Sequence, residues 1–211
     1  MGAVIVGLDA HDLPERIGTM VEQADVAALA VADRSALSGI DPGRLERLRF
    51  ILPITPDNGA PAAWPVGVRV ISWGEVDGLA KSLPSAPGFP SPDDDATIIF
   101  TSGTTGAPKG IAYTHGQLCL AINAICEAFG FVGPGSRLLC WLPLSNLFQR
   151  IVSLAGMKQG AATYLLSDPR RVMQVVAKVS PDVFVGVPAS MKNCMRASGR
   201  TSLHDRRCSA S

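Results

Sequence analysis

The residues best suited to chemistry form one segment, T-S-G-T-T-G-A-P-K-G at residues 101–110, which directly follows a short apolar run. Its glycines, Gly103 and Gly106 among them, let a ligand approach the backbone, and successive N–H groups in such a loop form a nest that binds anions. The Ser and Thr hydroxyls add hydrogen-bond donors, and Lys109 adds a mobile positive charge. This composition predicts a loop that wraps a phosphate chain.

The spacing of this segment differs from that of the common P-loop, G-x-x-x-x-G-K-[ST]. Counted from Gly103, Pro108 occupies the place of the second glycine, and Gly110 follows Lys109 where Ser or Thr belongs. The spacing therefore excludes the mononucleotide-kinase loop. The alternative without a function is a flexible Gly/Ser/Thr-rich connector. The segment directly follows a strand, as a binding motif does, and this position disfavours that alternative.

The pattern T-S-G-T-T-G-x-P-K-G closely resembles the phosphate-binding signature of the acyl-adenylate-forming (AMP-binding) superfamily. That superfamily includes acyl-CoA synthetases, luciferases and peptide-synthetase adenylation domains. The resemblance implies that the loop holds the β- and γ-phosphates of ATP and that the Thr101 hydroxyl contacts Mg²⁺. The implied phosphate-binding residues are Thr101, Ser102, Gly103, Thr104, Thr105, Gly106 and Lys109.

Three further segments resemble the same superfamily, so that the likeness extends over residues 1–195. W-L-P-L-S-N-L-F-Q-R at residues 141–150 is similar to the L-P-L-S-H-x-F-x-R segment typical of long-chain fatty acyl-CoA synthetases. F-V-G-V-P at residues 184–188 resembles the strand that leads to their acyl pocket. Residues 2–17 resemble the G-A-V-x-V-x-L…E-R-I segment of their first subdomain.

Two residues of the segment 141–150 acquire a role through this resemblance. It implies that Asn146 and Phe148 lie near the adenylate and the acyl carboxyl group. Asn146 stands where the long-chain enzymes usually carry His. Since Asn keeps a hydrogen-bonding side chain but does not titrate near neutral pH, we expect altered positioning of the carboxylate rather than a lost fold.

Other parts of the superfamily's active site have no counterpart in the 211 residues. The Y-G-x-T-E motif, whose glutamate holds magnesium, is absent, as are the ribose-binding aspartate and the C-terminal domain with the essential lysine. No catalytic residue is therefore assigned. We expect an AMP-binding fragment of an ATP-dependent fatty acid–CoA ligase that alone does not make acyl-CoA. The implied cofactors are ATP, Mg²⁺ and coenzyme A, and the implied partners are these small molecules and the fatty acid.

Alternatives to the ligase hypothesis stay open from the sequence. The chain could be a short form that binds a nucleotide or a partner without catalysis, an adenylation domain that serves a carrier protein, or a non-functional remnant. The acyl chain length is also open, because no pocket residues can be assigned beyond the segments named above.

Composition excludes several other classes of protein. A net charge of +1 and 6% aromatic residues give no sign of a nucleic-acid partner. The five cysteines form no C-x-x-C pair, which favours small core residues in a reducing compartment. No apolar run has the length of a membrane span, and the N-terminus lacks the features of a signal peptide. We expect a cytoplasmic protein, with peripheral membrane association left open.

Alternating apolar strands and helices predict an α/β fold with doubly wound parallel-sheet subdomains. The resemblance implies that these subdomains are part of the large N-terminal domain of an AMP-forming ligase, which is incomplete here. Strands are predicted at residues 2–8, 26–32, 49–54, 68–71, 138–142, 161–166 and 183–187. Helices are predicted at 14–24, around Leu45, and at 75–81, 118–129 and 169–179. The predicted domains are a first subdomain (1–82), a Pro/Asp-rich linker (83–95), a phosphate-loop subdomain (96–195) and a disordered or aberrant tail (196–211).

Overall fold

A computed structural model describes residues 2–55, 64–82, 88–102 and 107–186. These residues form α/β structure in two compact units. The first unit takes its residues from Met1–Asn123 and Leu144–Arg150, and the second from Ala124–Pro143 and Ile151–Ser211. No helix in the described ranges combines the length and apolar character needed to cross a membrane.

The described residues of the first unit form six strands and two complete helices. The strands are β1 (Ile5–Val6), β2 (Ala28–Val31), β3 (Phe50–Pro53), β4 (Arg69–Val70), β5 (Asp95–Ser102) and β6 (Pro108–Thr114). The helices are α1 (Pro14–Gln23) and α2 (Trp73–Ser82), with 3-10 turns at Arg34–Leu37 and Pro42–Leu45. Helix α3 (His115–Ala128) begins in this unit, as does α4 (Leu147–Lys158).

Helix α1 packs its apolar face into the main core of the first unit. Pro14 begins the helix at a position where its missing N–H costs nothing, and Ile17, Met20 and Val21 recur at helical spacing and are buried. They join Ile51, which is fully buried at the centre of the parallel sheet β2-β3-β4. The cluster consists of Ile17, Met20, Val21, Val31, Leu37, Ile40, Leu45, Leu48 and Ile51.

The second sheet of this unit has the order β1-β5-β6. Strand β1 pairs with β5 in parallel, with Ile5 opposite Thr97, whereas β5 and β6 form an antiparallel hairpin. The hairpin places Thr101 opposite Lys109 and Phe100 opposite Gly110. A Cβ on Gly110 would lie 3.1 Å from Phe100 Cε1 and from Ile98 Cγ2, so the Phe100 ring packs closely over the glycine backbone.

The second unit contains a parallel sheet of order β8-β7-β9. The strands of this sheet are β7 (Arg137–Cys140), β8 (Ala162–Leu165) and β9 (Val183–Phe184), and helix α5 (Val172–Val179) precedes β9. Trp141 is buried against this sheet, stacks on Phe184 at 5.8 Å and donates from Nε1 to the backbone oxygen of Val185 at 2.6 Å. This hydrogen bond satisfies both polar groups inside an apolar cluster.

The α/β class with parallel sheets is confirmed, but three elements differ from the expectation. Residues 108–114 form a strand, so the phosphate-loop segment connects two antiparallel strands rather than a strand and a helix. Helix α4 was not predicted. Strand β1 is shorter than predicted and pairs with β5, so residues on both sides of the predicted linker share a sheet. The predicted domain limits stay predictions, and the predicted tail 196–211 lies outside the described residues.

Candidate functional site

The β5–β6 hairpin brings together two of the predicted phosphate-binding residues at its loop end. Thr101 and Lys109 are directly opposite in the antiparallel register, so their side chains lie on the same face of the sheet. Both residues are exposed, and the Thr101 hydroxyl donates to the backbone oxygen of Lys109 at 3.4 Å. A hydroxyl and an ammonium group therefore flank the two ends of the loop on one accessible face.

The rest of the predicted loop lies mostly outside the described residues. Ser102 ends β5, and Gly103, Thr104, Thr105 and Gly106 lie outside the described residues. The strand that leads into the loop is held by burial, since Thr97 and Ile99 are 1% and 6% exposed. Pro108 begins the returning strand, a position that tolerates its missing N–H. The hairpin thus fixes both ends of the loop.

The returning strand leads directly into helix α3 through a capping box. Thr114 N donates to Gln117 Oε1 at 3.0 Å, and Gln117 N donates to Thr114 Oγ1 at 3.2 Å. This reciprocal pair satisfies two N–H groups at the helix start, as the T-H-G-Q spacing predicts. His115 N donates to Asp94 O at 3.0 Å, which ties the helix start to the turn before β5. The hairpin is therefore anchored at its open end.

The second predicted site segment forms the first turn of α4. Asn146 Oδ1 accepts from Gln149 N at 3.1 Å, so Asn146 is the N-cap of this helix. Phe148 lies in the first turn and is 52% exposed, and Leu144 just before the helix is 48% exposed. The segment therefore presents a polar cap beside exposed apolar side chains, which suits contact with a ligand that has a polar head and an apolar chain.

Arg150 links this segment to the hairpin strand, and the sequence assigned it no role. Its Nε donates to Leu144 O at 2.8 Å and its Nη1 donates to Thr97 Oγ1 at 2.5 Å. Thr97 in turn donates to Ile5 O at 2.5 Å. Burial of the guanidinium lowers the pKa of Arg150. The sequence offers two signals: Arg150 matches the final R of the L-P-L-S-H-x-F-x-R pattern, and it lies four residues after Asn146, a spacing that places both on one face of a helix.

Among the described residues, no group of three or more His, Cys, Asp or Glu side chains is arranged to hold a metal ion. The Thr101 hydroxyl is an oxygen ligand of the hard type that Mg²⁺ prefers, and Mg²⁺ commonly keeps several waters while bound to one or two protein oxygens and to substrate phosphates. A site with one protein hydroxyl and a triphosphate fits that coordination chemistry.

Comparison with known proteins adds a family and similar proteins. The sequence matches the family model described as AMP-binding enzyme over residues 1–209. It is 34% identical over 126 residues to long chain acyl-CoA synthetase 7, peroxisomal, of Arabidopsis thaliana, an alignment that covers 58% of this chain and 17% of that protein. It is 35% identical over 126 residues to human long-chain-fatty-acid–CoA ligase 1, covering 58% of this chain and 18% of the relative.

A solved structure shows the same fold at lower identity. The adenylation domain of a carboxylate reductase from Mycobacterium chelonae superposes with a TM-score of 0.69 at 20% identity, covering 92% of this chain and 32% of that one. In each of these comparisons the chain spans less than a third of the protein that it matches.

Proposed function

The chain belongs to the AMP-binding enzyme family, and on that premise we propose that it supplies the ATP-phosphate site of an acyl-adenylate-forming ligase for long-chain fatty acids. The observation that carries the proposal is the pairing of Thr101 and Lys109 at the loop end of the hairpin, where they flank the T-S-G-T-T-G loop. The oxygens of a triphosphate accept hydrogen bonds, for which a hydroxyl, an ammonium group and backbone N–H groups are suitable donors.

In the proposed reaction, a carboxylate oxygen of the fatty acid attacks the α-phosphorus of ATP. The bond to the bridging oxygen breaks, pyrophosphate leaves and acyl-AMP forms. The thiol sulfur of coenzyme A then attacks the acyl carbonyl carbon, AMP leaves and the thioester forms. Such transfers depend on positioning and on stabilisation of developing negative charge. The role of Lys109 is to hold and neutralise the β- and γ-phosphates that leave in the first step.

Magnesium would enter through the Thr101 hydroxyl and the phosphates, and when bound it would supply positive charge to the leaving pyrophosphate. Asn146 and Phe148 would face the adenylate and the acyl carboxyl, with the exposed ring of Phe148 offering apolar contact. The long-chain preference is supported by the names of the two relatives, both of them long-chain enzymes. The free thiols Cys119, Cys126 and Cys140 support a reducing compartment, for which we propose the cytoplasm.

We further propose that the chain binds ATP without turnover, because the Y-G-x-T-E motif and the lysine of the family pattern have no match in its sequence. Binding of Mg-ATP to the purified 211-residue chain, measured by calorimetry, tests the first part. Lys109→Ala should weaken binding about tenfold, the value of one charge-assisted contact. Lys81→Ala removes the same charge from the exposed end of α2 and should leave the affinity unchanged.

Equal affinity of the Lys109→Ala and Lys81→Ala chains, or no saturable binding by the folded native chain, would overturn the phosphate-site proposal. The second part is tested by palmitate-dependent release of AMP, which should stay at background. Release of AMP that requires palmitate and disappears in Lys109→Ala would contradict the absence of turnover while supporting the site itself.

A further inference from the structure

Hydrogen bonds connect the Arg150 side chain with three other pieces of the first unit. Its guanidinium contacts Leu144 in the segment before α4 and Thr97 in β5, and Thr97 carries the connection on to Ile5 in β1. Thr97 is 1% exposed, so the middle of this chain of hydrogen bonds is buried, whereas the Arg150–Leu144 bond lies at the surface. The direction of each bond is fixed, because arginine only donates and a backbone oxygen only accepts.

The Arg150 guanidinium is not paired with an acid in the described ranges, where its partners are one backbone oxygen and one hydroxyl. Burying a cation without a carboxylate costs free energy, and the two hydrogen bonds that the guanidinium donates offset part of that cost. The rigid fork of the guanidinium can donate to two acceptors on separate elements at once, whereas a lysine ammonium would have to reach both from a single nitrogen.

Gly7, which follows β1, completes the arrangement by leaving room for it. A Cβ on Gly7 would clash with Arg150 Nη2 and would lie 3.1 Å from Ser145 Cα and 3.2 Å from Leu144 O. Only a residue without a side chain lets the guanidinium and the backbone of residues 144–145 approach β1 this closely. The site segment is therefore seated against the sheet by close backbone contact as well as by hydrogen bonds.

We infer that Arg150 is a positioning residue that fixes the segment 144–148 to the strand leading into the phosphate loop. By this means it sets Asn146 and Phe148 relative to Thr101 on β5. Thr97 and Thr101 lie on the same face of that strand, about 13 Å apart at the rise of an extended chain. The inference rests on the proposed function in its ligand-binding part only, because the mechanical link is a property of the chain itself.

Two ligands separate positioning from a general effect on the fold. Hexadecyl-AMP, a non-reacting mimic of the acyl adenylate, should engage both segments, whereas Mg-ATP should depend mainly on the hairpin. In Arg150→Gln, we expect the affinity for hexadecyl-AMP to fall about tenfold, as for the loss of one charged hydrogen bond, with the affinity for Mg-ATP unchanged. Arg150→Lys should recover part of the loss, and Arg49→Gln, an exposed control, should show none.

Amide hydrogen exchange tests the link without any ligand. In Arg150→Gln, the Gln149 and Arg150 amides, which donate to Asn146, should exchange about tenfold faster. The Ala24 amide at the end of α1 should be unaffected. If the native chain binds neither ligand, the proposed function fails while this measurement still decides the link. Unchanged exchange at Gln149 and Arg150, or an equal loss of both ligands together with faster exchange throughout the unit, would overturn the inference.

Discussion

Replacing Gly7 with alanine tests the packing around Arg150 by adding a single methyl group. Gly7 does not have a positive φ, so its backbone accepts alanine without strain. The added Cβ would clash with Arg150 Nη2 and approach Leu144 O to 3.2 Å. The guanidinium would have to move, and with it the hydrogen bonds to Thr97 and Leu144.

Free-energy contributions of opposite sign set the change in stability that Gly7→Ala causes. Overpacking costs about 1–3 kcal/mol, and a lost hydrogen bond to a charged group about 1.5–3 kcal/mol. The lower entropy of an unfolded chain with alanine returns about 0.4–1 kcal/mol. The free energy of unfolding should therefore fall by about 2 kcal/mol, because the moved side chain gives up only part of each contact. For a chain of this length that corresponds to about 4–8 °C in Tm.

Gly78→Ala is the matched control. Gly78 lies inside α2, and a Cβ there would meet no atom within 4 Å. Alanine should therefore stabilise this helix by about 0.8–1 kcal/mol. Urea unfolding followed by tryptophan fluorescence in a Trp141→Phe background reports the first unit, because the remaining tryptophans, Trp64 and Trp73, both belong to it.

A double-mutant cycle identifies Arg150 as the cause. With Arg150→Ala present, the cost of Gly7→Ala should drop to about 1 kcal/mol or less, since only the backbone of residues 144–145 remains in the way. A Gly7→Ala chain as stable as Gly78→Ala would refute the geometry. So would a cost that is the same with and without Arg150.

Two other predictions concern single side chains of the first unit. Asn146→Ala should lower the free energy of unfolding by about 1 kcal/mol through loss of the α4 N-cap, whereas Asn146→Asp should not, and the same urea experiment checks both. Hydrogen bonds donated to the Glu75 carboxylate lower its pKa below 4.5. The largest contribution comes from the Ser72 backbone N–H, followed by those of the Ser72 and Arg69 side chains. The stability contributed by this carboxylate is therefore present above pH 4.5 and lost as the pH falls through the lower pKa of the folded state. Glu75→Gln should flatten the acid side of a plot of Tm against pH, and an unchanged slope would contradict the assignment.

Periodicity in the sequence identified the elements that bury one regular face. Helix α1 begins at Pro14 as predicted, because proline at the first helical position and buried residues at helical spacing are both visible in the sequence. The capping box at the start of α3 was also readable, since its two residues are three positions apart. Local signals of this kind need no knowledge of the tertiary partner.

Elements defined by a distant partner were missed. Strand β6 contains Gly110, which weakens a strand by itself and is accommodated because Phe100 of β5 lies against it. The start of α4 differs from these elements, because its N-cap is a local contact between Asn146 and Gln149 that the sequence also contains. The Arg150 link joins residues 53 positions apart through Thr97, and no local pattern predicts such a contact.

The position of Asn146 explains how the departure from histidine leaves the fold intact. Asparagine is among the strongest N-cap residues, and its Oδ1 is already engaged by Gln149 N. With Oδ1 held by Gln149 N, the Nδ2 amide is the group that can donate to a ligand, and it does not change charge with pH. The site would then offer an acyl carboxylate a neutral donor, whereas histidine could offer a proton. Asn146→His should therefore introduce a dependence of hexadecanoate binding on pH near the histidine pKa of about 6.5.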